Sequence, residues 1–220
     1  GGSVGTPPDG VEGDVLVVNS FAELRARAAD VAGKIVLFNA PFTTYRDSVT
    51  YRTDGAHVAS QYGAVAALVR SVGPTGLRTP HTGNLQYEPD APPIPAAAVA
   101  AEDADRIARL QARDVPVRVR LTMEARAEAE VASANVVGEI RGRERPDEVV
   151  LLGGHLDSWD VGTGASDDAV GCIVTWEAAR LMISLGIRPR RTVRIVLWTN
   201  EENGLRGATE YAARYGAQAA

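Results

Sequence analysis

Three short segments of the sequence combine one histidine with several carboxylates and contain no lysine or arginine. They are residues 154–160, 164–168 and 200–204. Carboxylates that are packed together repel one another unless cations compensate their charge. A divalent metal ion is the simplest such cation, since imidazole and carboxylate groups bind several metals of this kind. The segments therefore predict a metal centre, and a metal centre can activate a water molecule.

Each of these residues also has an ordinary structural interpretation when it is taken alone. His155 can be a satisfied polar residue at the end of a strand, and Asp157 can cap a turn. Asp167 can be the N-cap of the helix that follows it. Glu201 and Glu202 suit the first turn of a helix, where acidic side chains complement the helix dipole. The joint occurrence at two strand ends and at the intervening helix start favours the metal interpretation.

The second half of the chain has a pattern that can position these segments. Apolar runs predict strands at 134–140, 149–153 and 192–199, and helical spacing predicts helices at 168–185 and 205–215. This alternation is typical of a mainly parallel α/β sheet with helices on its faces. In such sheets ligands bind outside the carboxyl ends of the strands, where the three segments should meet. One side of the first helix is apolar, which is typical of a helix packed on a core: Val170, Ile173, Val174, Leu181, Met182 and Leu185.

The first half has a different pattern. Strands are predicted at 14–19, 35–39, 64–70, 94–100 and 115–123, and helices at 20–29, 54–62 and 102–113. Ser20 and Glu23 have the spacing of a capping box. Pro116 favours an edge position for the last strand, because proline cannot donate a ladder hydrogen bond. Residues 124–132 are rich in alanine and charge and form a plausible boundary.

In combination, the segments closely resemble the co-catalytic zinc exopeptidases. The likeness rests on GGHLDSWD at 153–160, GASDD at 164–168 and WTNEE at 198–202. Residues 33–41 (GKIVLFNAP) and 63–71 (GAVAALVRS) are similar to the protease-associated domain that is inserted in members of that family.

The resemblance implies an α/β fold with two domains. Residues 1–125 would form a protease-associated, lid-like α+β domain. Residues 126–220 would form the N-terminal part of a three-layer α/β/α zinc-peptidase domain with a mainly parallel sheet. The family uses a further Asp and a further His downstream that this chain does not contain, so the sequence is expected to be truncated and inactive by itself.

The resemblance also implies a role for each site residue. His155 would bind one Zn²⁺ ion, the carboxylate of Asp167 would bridge two ions, and Glu202 would bind the second ion. The peptide bond between Asp167 and Asp168 would be cis, as it is in relatives. Glu201 would be the general base. Asp157 would accept the free imidazole N–H of His155 and orient the ring, as carboxylates near metal-bound histidines commonly do.

The implied activity is that of a zinc-dependent exopeptidase of the carboxypeptidase or dipeptidase type. It would hydrolyse dipeptides or short peptides with a water that bridges the metals. Two alternatives stay open: an aminopeptidase of the same fold, and an inert fragment that serves as a binding or lid module. The resemblance further implies a homodimer and a secreted or periplasmic location, although the chain shows no signal peptide.

Composition excludes several other classes of site and partner. The formal net charge of −5 and the lack of a basic stripe argue against nucleic acid. No apolar run is long enough to span a membrane. Cys172 is the only cysteine, so an intrachain disulfide and a cysteine-based zinc site are both impossible.

Overall fold

A computed structural model describes residues 1–159 and 162–216 of the chain. Asp160, the last residue of the GGHLDSWD motif, lies outside the described residues. The chain divides into two compact units, Gly1–Ala129 and Glu130–Ala220. The predicted boundary between residues 125 and 126 falls among the last residues of unit 1.

Unit 1, whose residues are all described, is built on one five-stranded sheet. Its strands are β1 (Val11–Val18), β2 (Ile35–Phe38), β3 (Ala66–Arg70), β4 (Ala96–Val99) and β5 (Arg118–Leu121). The strand order is β4-β3-β2-β1-β5, and only β5 runs antiparallel to its neighbour. All five predicted strands are present, and β5 has the edge position that Pro116 favours.

Helices cover both faces of this sheet. They are α1 (Phe21–Ala26), α2 (Tyr45–Ser48), α3 (Thr50–Thr53), α4 (Gly55–Ser60) and α5 (Ala101–Gln111), with a 3-10 turn at Ala28–Asp30. Leu24 of α1 and Phe38 of β2 belong to one buried cluster, whereas Leu37 of β2 and Ala104 of α5 belong to a second. Successive residues of β2 therefore face opposite layers, as the alternation of side chains along a strand requires.

The first and last segments of unit 1 are paired with each other. The backbone N–H of Thr6 donates to the Met123 carbonyl at 2.9 Å. The backbone N–H of Met123 donates to Thr6 Oγ1 at 3.0 Å. The antiparallel register of β1 and β5 continues this pairing from Val11 opposite Leu121. Residues 6–11 and 121–123 therefore run antiparallel beside each other.

Unit 2 contains a three-stranded sheet among its described residues. Its elements are β6 (Val136–Ile140), β7 (Arg145–His155), α6 (Val170–Ser184), β8 (Arg191–Trp198) and α7 (Arg206–Tyr215). The strand order is β6-β8-β7, with β7 parallel and β6 antiparallel to β8. All three predicted strands are present, and β7 begins earlier than the predicted 149–153, with an irregularity between Arg145 and Val149.

The two helices of unit 2 lie on opposite faces of its sheet. Gly154 approaches α6 so closely that a side chain there would collide with the backbone of Cys172. Trp198 packs edge-on against Tyr211 of α7, with ring centroids 5.2 Å apart. The register pairs Gly154 with Leu197, which places the neighbouring Trp198 on the other face. This arrangement is the predicted three-layer α/β/α order.

The apolar side of α6 does not pack on a core within the described residues, contrary to the expectation from its spacing. Val174 is 61% exposed and Leu185 is 70% exposed, whereas Ala179 is the one buried residue of the helix. Trp176 and Ile183 are exposed too, so the helix is apolar around most of its circumference, a pattern typical of buried helices. None of the described helices is long and apolar enough to cross a membrane.

Candidate metal centre

The carboxyl ends of β7 and β8 carry most of the predicted site residues. β7 ends at His155, and the register places this residue directly opposite Trp198, the last residue of β8. Asn200 then adopts a left-handed φ of 54°, which asparagine tolerates better than most residues. Glu201 and Glu202 follow this turn. Helix α7 begins beyond both glutamates, so they do not occupy its first turn.

The segment between β7 and α6 carries Asp167 and Asp168, and the peptide bond between them is cis, as the resemblance implies. Neither residue has helical backbone angles. The alternative in which Asp167 caps α6 is not observed. Asp168 instead accepts a hydrogen bond from the backbone N–H of Gly171 at 3.0 Å. The Asp167 carboxylate is therefore left to contact His155.

The three predicted metal ligands lie close together. His155 Nε2 is 2.9 Å from Asp167 Oδ1. One ligand atom from each of His155, Asp167 and Glu202 can be chosen so that all three lie within 4.8 Å of one another. Glu201 Oε2 is 3.9 Å from His155 Nε2, beside the same group. The segments predicted from sequence therefore do converge at one edge of the sheet.

The imidazole of His155 is oriented by a backbone carbonyl. Its Nδ1 lies 2.8 Å from the carbonyl oxygen of Asp157, and a carbonyl can only accept a hydrogen bond. Nδ1 therefore carries a proton, and Nε2 of a neutral ring has none. A lone pair of Nε2 then faces an oxygen of Asp167 at 2.9 Å. Two acceptors at this distance need a proton or a metal cation between them.

The pKa of His155 agrees with this geometry. Burial of the ring acts to lower its pKa, but it is outweighed by the hydrogen bonds to the Asp157 backbone and the Asp167 carboxylate together with the negative charges of Glu201 and Asp167. The pKa of His155 is raised as a result. The pocket thus favours a positive charge at Nε2, which a divalent ion supplies more strongly than a proton.

Asp157 acts on a different partner from the one predicted. Its carboxylate accepts hydrogen bonds from the backbone N–H groups of Glu201 at 2.9 Å and of Glu202 at 3.1 Å. The nearer carboxylate oxygen is 3.7 Å from Nδ1 of His155. The predicted carboxylate–imidazole hydrogen bond is replaced by the Asp157 carbonyl, because the two amides beyond Asn200 point at the carboxylate.

In the described part of the chain, the carboxylates of the site are not paired with lysine or arginine. Burial raises the pKa of Glu202, and the negative charges of Asp167 and Glu201 raise it further. Among the described residues, the ion pairs of Asp157, Asp167 and Glu201 involve His155 and no lysine or arginine. Zn²⁺ fits this donor set, because it takes imidazole nitrogen and carboxylate oxygen as ligands.

Comparison with known proteins places both units in families. Residues 135–220 match the model of peptidase family M28, and residues 7–107 match the model of the PA domain. Carboxypeptidase Q from Xenopus laevis is 48% identical over 211 residues, which are 96% of this chain and 45% of that protein. The chain thus spans about half the length of the curated relatives it matches.

Solved structures agree with this assignment. A peptidase M28 precursor from Shewanella amazonensis is 36% identical, with a TM-score of 0.92 over 99% of this chain and 51% of that one. BSAP, a zinc aminopeptidase from Bacillus subtilis, shares the fold at 23% identity, with a TM-score of 0.64 over 96% of this chain and 47% of its own. The chain therefore contains a PA domain followed by a region of peptidase family M28.

Proposed function

We propose that this chain supplies the zinc-binding part of an exopeptidase that hydrolyses dipeptides or short peptides. The observation that carries the proposal is the contact of two acceptors, His155 Nε2 and Asp167 Oδ1, at 2.9 Å. His155, Asp167 and Glu202 are the proposed ligands, with Asp167 bridging two ions. An exported location and a homodimer, both implied by the family resemblance, belong to the same proposal.

In the proposed reaction, Glu201 transfers the proton and Asp157 positions the backbone around it. When bound, zinc supplies Lewis-acid chemistry that polarises a carbonyl and makes water more acidic. Glu201 lies beside the proposed ligands, and as general base it takes a proton from the attacking water. The same carboxyl then delivers that proton to the nitrogen of the departing amine. Asp157 holds the backbone of Glu201 and Glu202 in place through its two accepted hydrogen bonds.

An aminopeptidase is the alternative, because BSAP, a zinc aminopeptidase, has the same fold. Blocked dipeptides distinguish it from the proposed carboxypeptidase or dipeptidase activity. The protein expressed from its full reading frame is given a free dipeptide, its N-acetyl form and its C-terminal amide. A carboxypeptidase cleaves the N-acetyl form, an aminopeptidase cleaves the amide, and a dipeptidase requires both free ends.

We expect turnover of the free dipeptide or the N-acetyl form, and loss of that turnover with 1,10-phenanthroline. The non-chelating isomer 1,7-phenanthroline is the matched control. Zinc is measured in the same preparation by atomic absorption. A zinc-free preparation that cleaves none of the three substrates after zinc is added back contradicts the proposal, and supports the inert lid or binding module.

Asp157→Asn tests how the proposed base is held. The single oxygen of the asparagine amide can still accept a hydrogen bond from one backbone N–H. The NH₂ group of the amide then faces the other backbone N–H, and two donors cannot bond to each other. We expect zinc affinity or activity to fall about 10–100-fold, as is usual for residues that support metal ligands. Asp147→Asn, an exposed change on β7, is the matched control.

The protonation state of the His155 ring nitrogens shows whether Asp157 orients the imidazole through its backbone carbonyl or through its carboxylate. Because the Asp157 carbonyl is retained in the variant, the ¹⁵N shift of Nδ1 should remain that of a protonated nitrogen. A change of tautomer in Asp157→Asn would instead show that the carboxylate acts on the imidazole.

A further inference from the structure

The carboxylate of Asp168 joins two elements that meet at the metal centre. Its Oδ2 accepts a hydrogen bond from the backbone N–H of His155 at 3.0 Å. Its Oδ1 accepts one from the backbone N–H of Gly171, in the first turn of α6, also at 3.0 Å. Asp168 also directly follows Asp167 in the chain. One residue thus links the imidazole ligand, the carboxylate ligand and the helix start.

The backbone of His155 depends on these contacts because of its place in the sheet. The N–H of Leu156 donates to the carbonyl of Trp198 in β8. Alternation along the strand therefore turns the N–H and C=O of His155 away from β8. No strand in the described part of the chain pairs with β7 on that side. Side chains supply the missing partners: Asp168 accepts from the N–H, and Cys172 Sγ donates to the C=O at 3.0 Å.

Two glycines provide the space for the Asp168 carboxylate. A methyl group added at Gly171 would lie 2.3 Å from Oδ1, and one added at Gly154 would lie 2.8 Å from Oδ2. Both distances are shorter than any tolerable contact. Gly154 belongs to β7 and Gly171 to α6, so both elements are shaped around the same carboxylate.

We infer that Asp168 is a positioning residue for metal binding, which fixes the backbone of His155 so that its imidazole and the Asp167 carboxylate share one cation. It acts through His155 and is not itself a proposed ligand, since both of its carboxylate oxygens accept backbone N–H groups. The inference rests on the proposed zinc site. Without Asp168 the N–H of His155 loses its acceptor, and the end of β7 is free to turn the imidazole away from Asp167.

Asp168→Asn tests this role in the protein made from its full reading frame. The amide has nearly the same shape, but its NH₂ group must face one of the two backbone N–H donors. We expect zinc affinity, measured by competition with a chromogenic chelator, to fall about 10–100-fold. The visible absorption bands of the Co²⁺-substituted protein should also change, because they report ligand geometry. Asp147→Asn, an exposed change in β7, should change neither quantity.

Unfolding of the metal-free proteins by urea separates positioning from folding. We expect Asp168→Asn to unfold cooperatively with a midpoint close to that of the unmodified protein. If it does not fold, Asp168→Ser, whose smaller hydroxyl can accept from one amide, takes its place. Failure of both variants to fold would overturn the inference, since Asp168 would then be required for the fold itself.

The binding measurements distinguish failure of the proposed function from failure of the inference about Asp168. If the unmodified protein binds no zinc, the proposed function fails and the inference fails with it. If the unmodified protein binds zinc and a folded Asp168→Asn binds it equally tightly, with the same Co²⁺ spectrum, only the inference is overturned. Weaker binding with an altered spectrum and unchanged unfolding supports it.

Discussion

Glu201→Gln should lower kcat on short peptides by about 10²–10⁴-fold, the usual contribution of a general base. Glutamine has the size of glutamate but cannot take a proton from water. The backbone N–H of residue 201 still donates to Asp157, because that contact does not involve the side chain. The fold of the turn and the bound zinc should therefore be retained. Steady-state kinetics together with zinc analysis check this expectation.

Glu210→Gln is the matched control for that experiment. Glu210 lies on the exposed surface of α7, where it pairs with Arg214. Exposed pairs of this kind contribute little to stability, so kinetics should be unchanged. Loss of zinc in Glu201→Gln would show that Glu201 is a ligand rather than the base. Full activity in that variant would remove Glu201 from the reaction.

Asp167→Ala should have the largest effect on metal content. The residue is the proposed bridge between two ions, and its carboxylate is also the near partner of His155 Nε2. Removing it leaves neither ion with a complete set of ligands. We expect zinc to fall from about two ions per chain, as in two-metal sites, to one or none. Peptidase activity should be lost at the same time.

Metal analysis of dialysed Asp167→Ala and Asp147→Ala, each made from the full reading frame, measures this effect. Asp147 is exposed in β7 and serves as the control for loss of an aspartate from unit 2. A full zinc content in folded Asp167→Ala would contradict the bridging role, whatever the activity. Retained activity with half the zinc would show that one ion is sufficient.

Sequence reasoning predicted that the three segments would meet, because their positions follow from topology, and the family resemblance then assigned the ligand roles. Strand ends of a parallel pair lie at one edge, so His155 and the Glu201–Glu202 pair had to be neighbours once β7 and β8 were predicted. The roles of the two supporting aspartates did not follow in this way. The partner of Asp157 depends on amide directions that are set by the positive φ of Asn200, a single backbone angle.

Asp168 was missed for a related reason. Its carboxylate serves as an acceptor for the start of α6, and the sequence pattern offered Asp167 for that role equally well. The glycines at 154 and 171 were the available signal, because each leaves room beside one carboxylate oxygen. Without knowing which residues face each other across β7 and α6, that signal could not be connected to Asp168.

The fold was predictable where local chemistry and the hydrophobic pattern agreed. Ser20 accepts from the backbone N–H of Glu23, so α1 begins where the capping box places it, although it ends at Ala26 rather than near residue 29. The short helices α2 and α3 were missed, because residues 40–53 have no clean apolar period. The exposure of α6 was not predictable either, since periodicity shows which side is apolar and not what covers it.

The pairing of Thr6 with Met123 has a consequence for local unfolding of unit 1. The segment before β1 and the segment after β5 hold each other through these two hydrogen bonds, and the register of β1 and β5 continues the pairing. Cleavage of the chain ahead of β1 would therefore also release the residues that follow β5. We expect the two segments to open together in hydrogen exchange, as one cooperative unit.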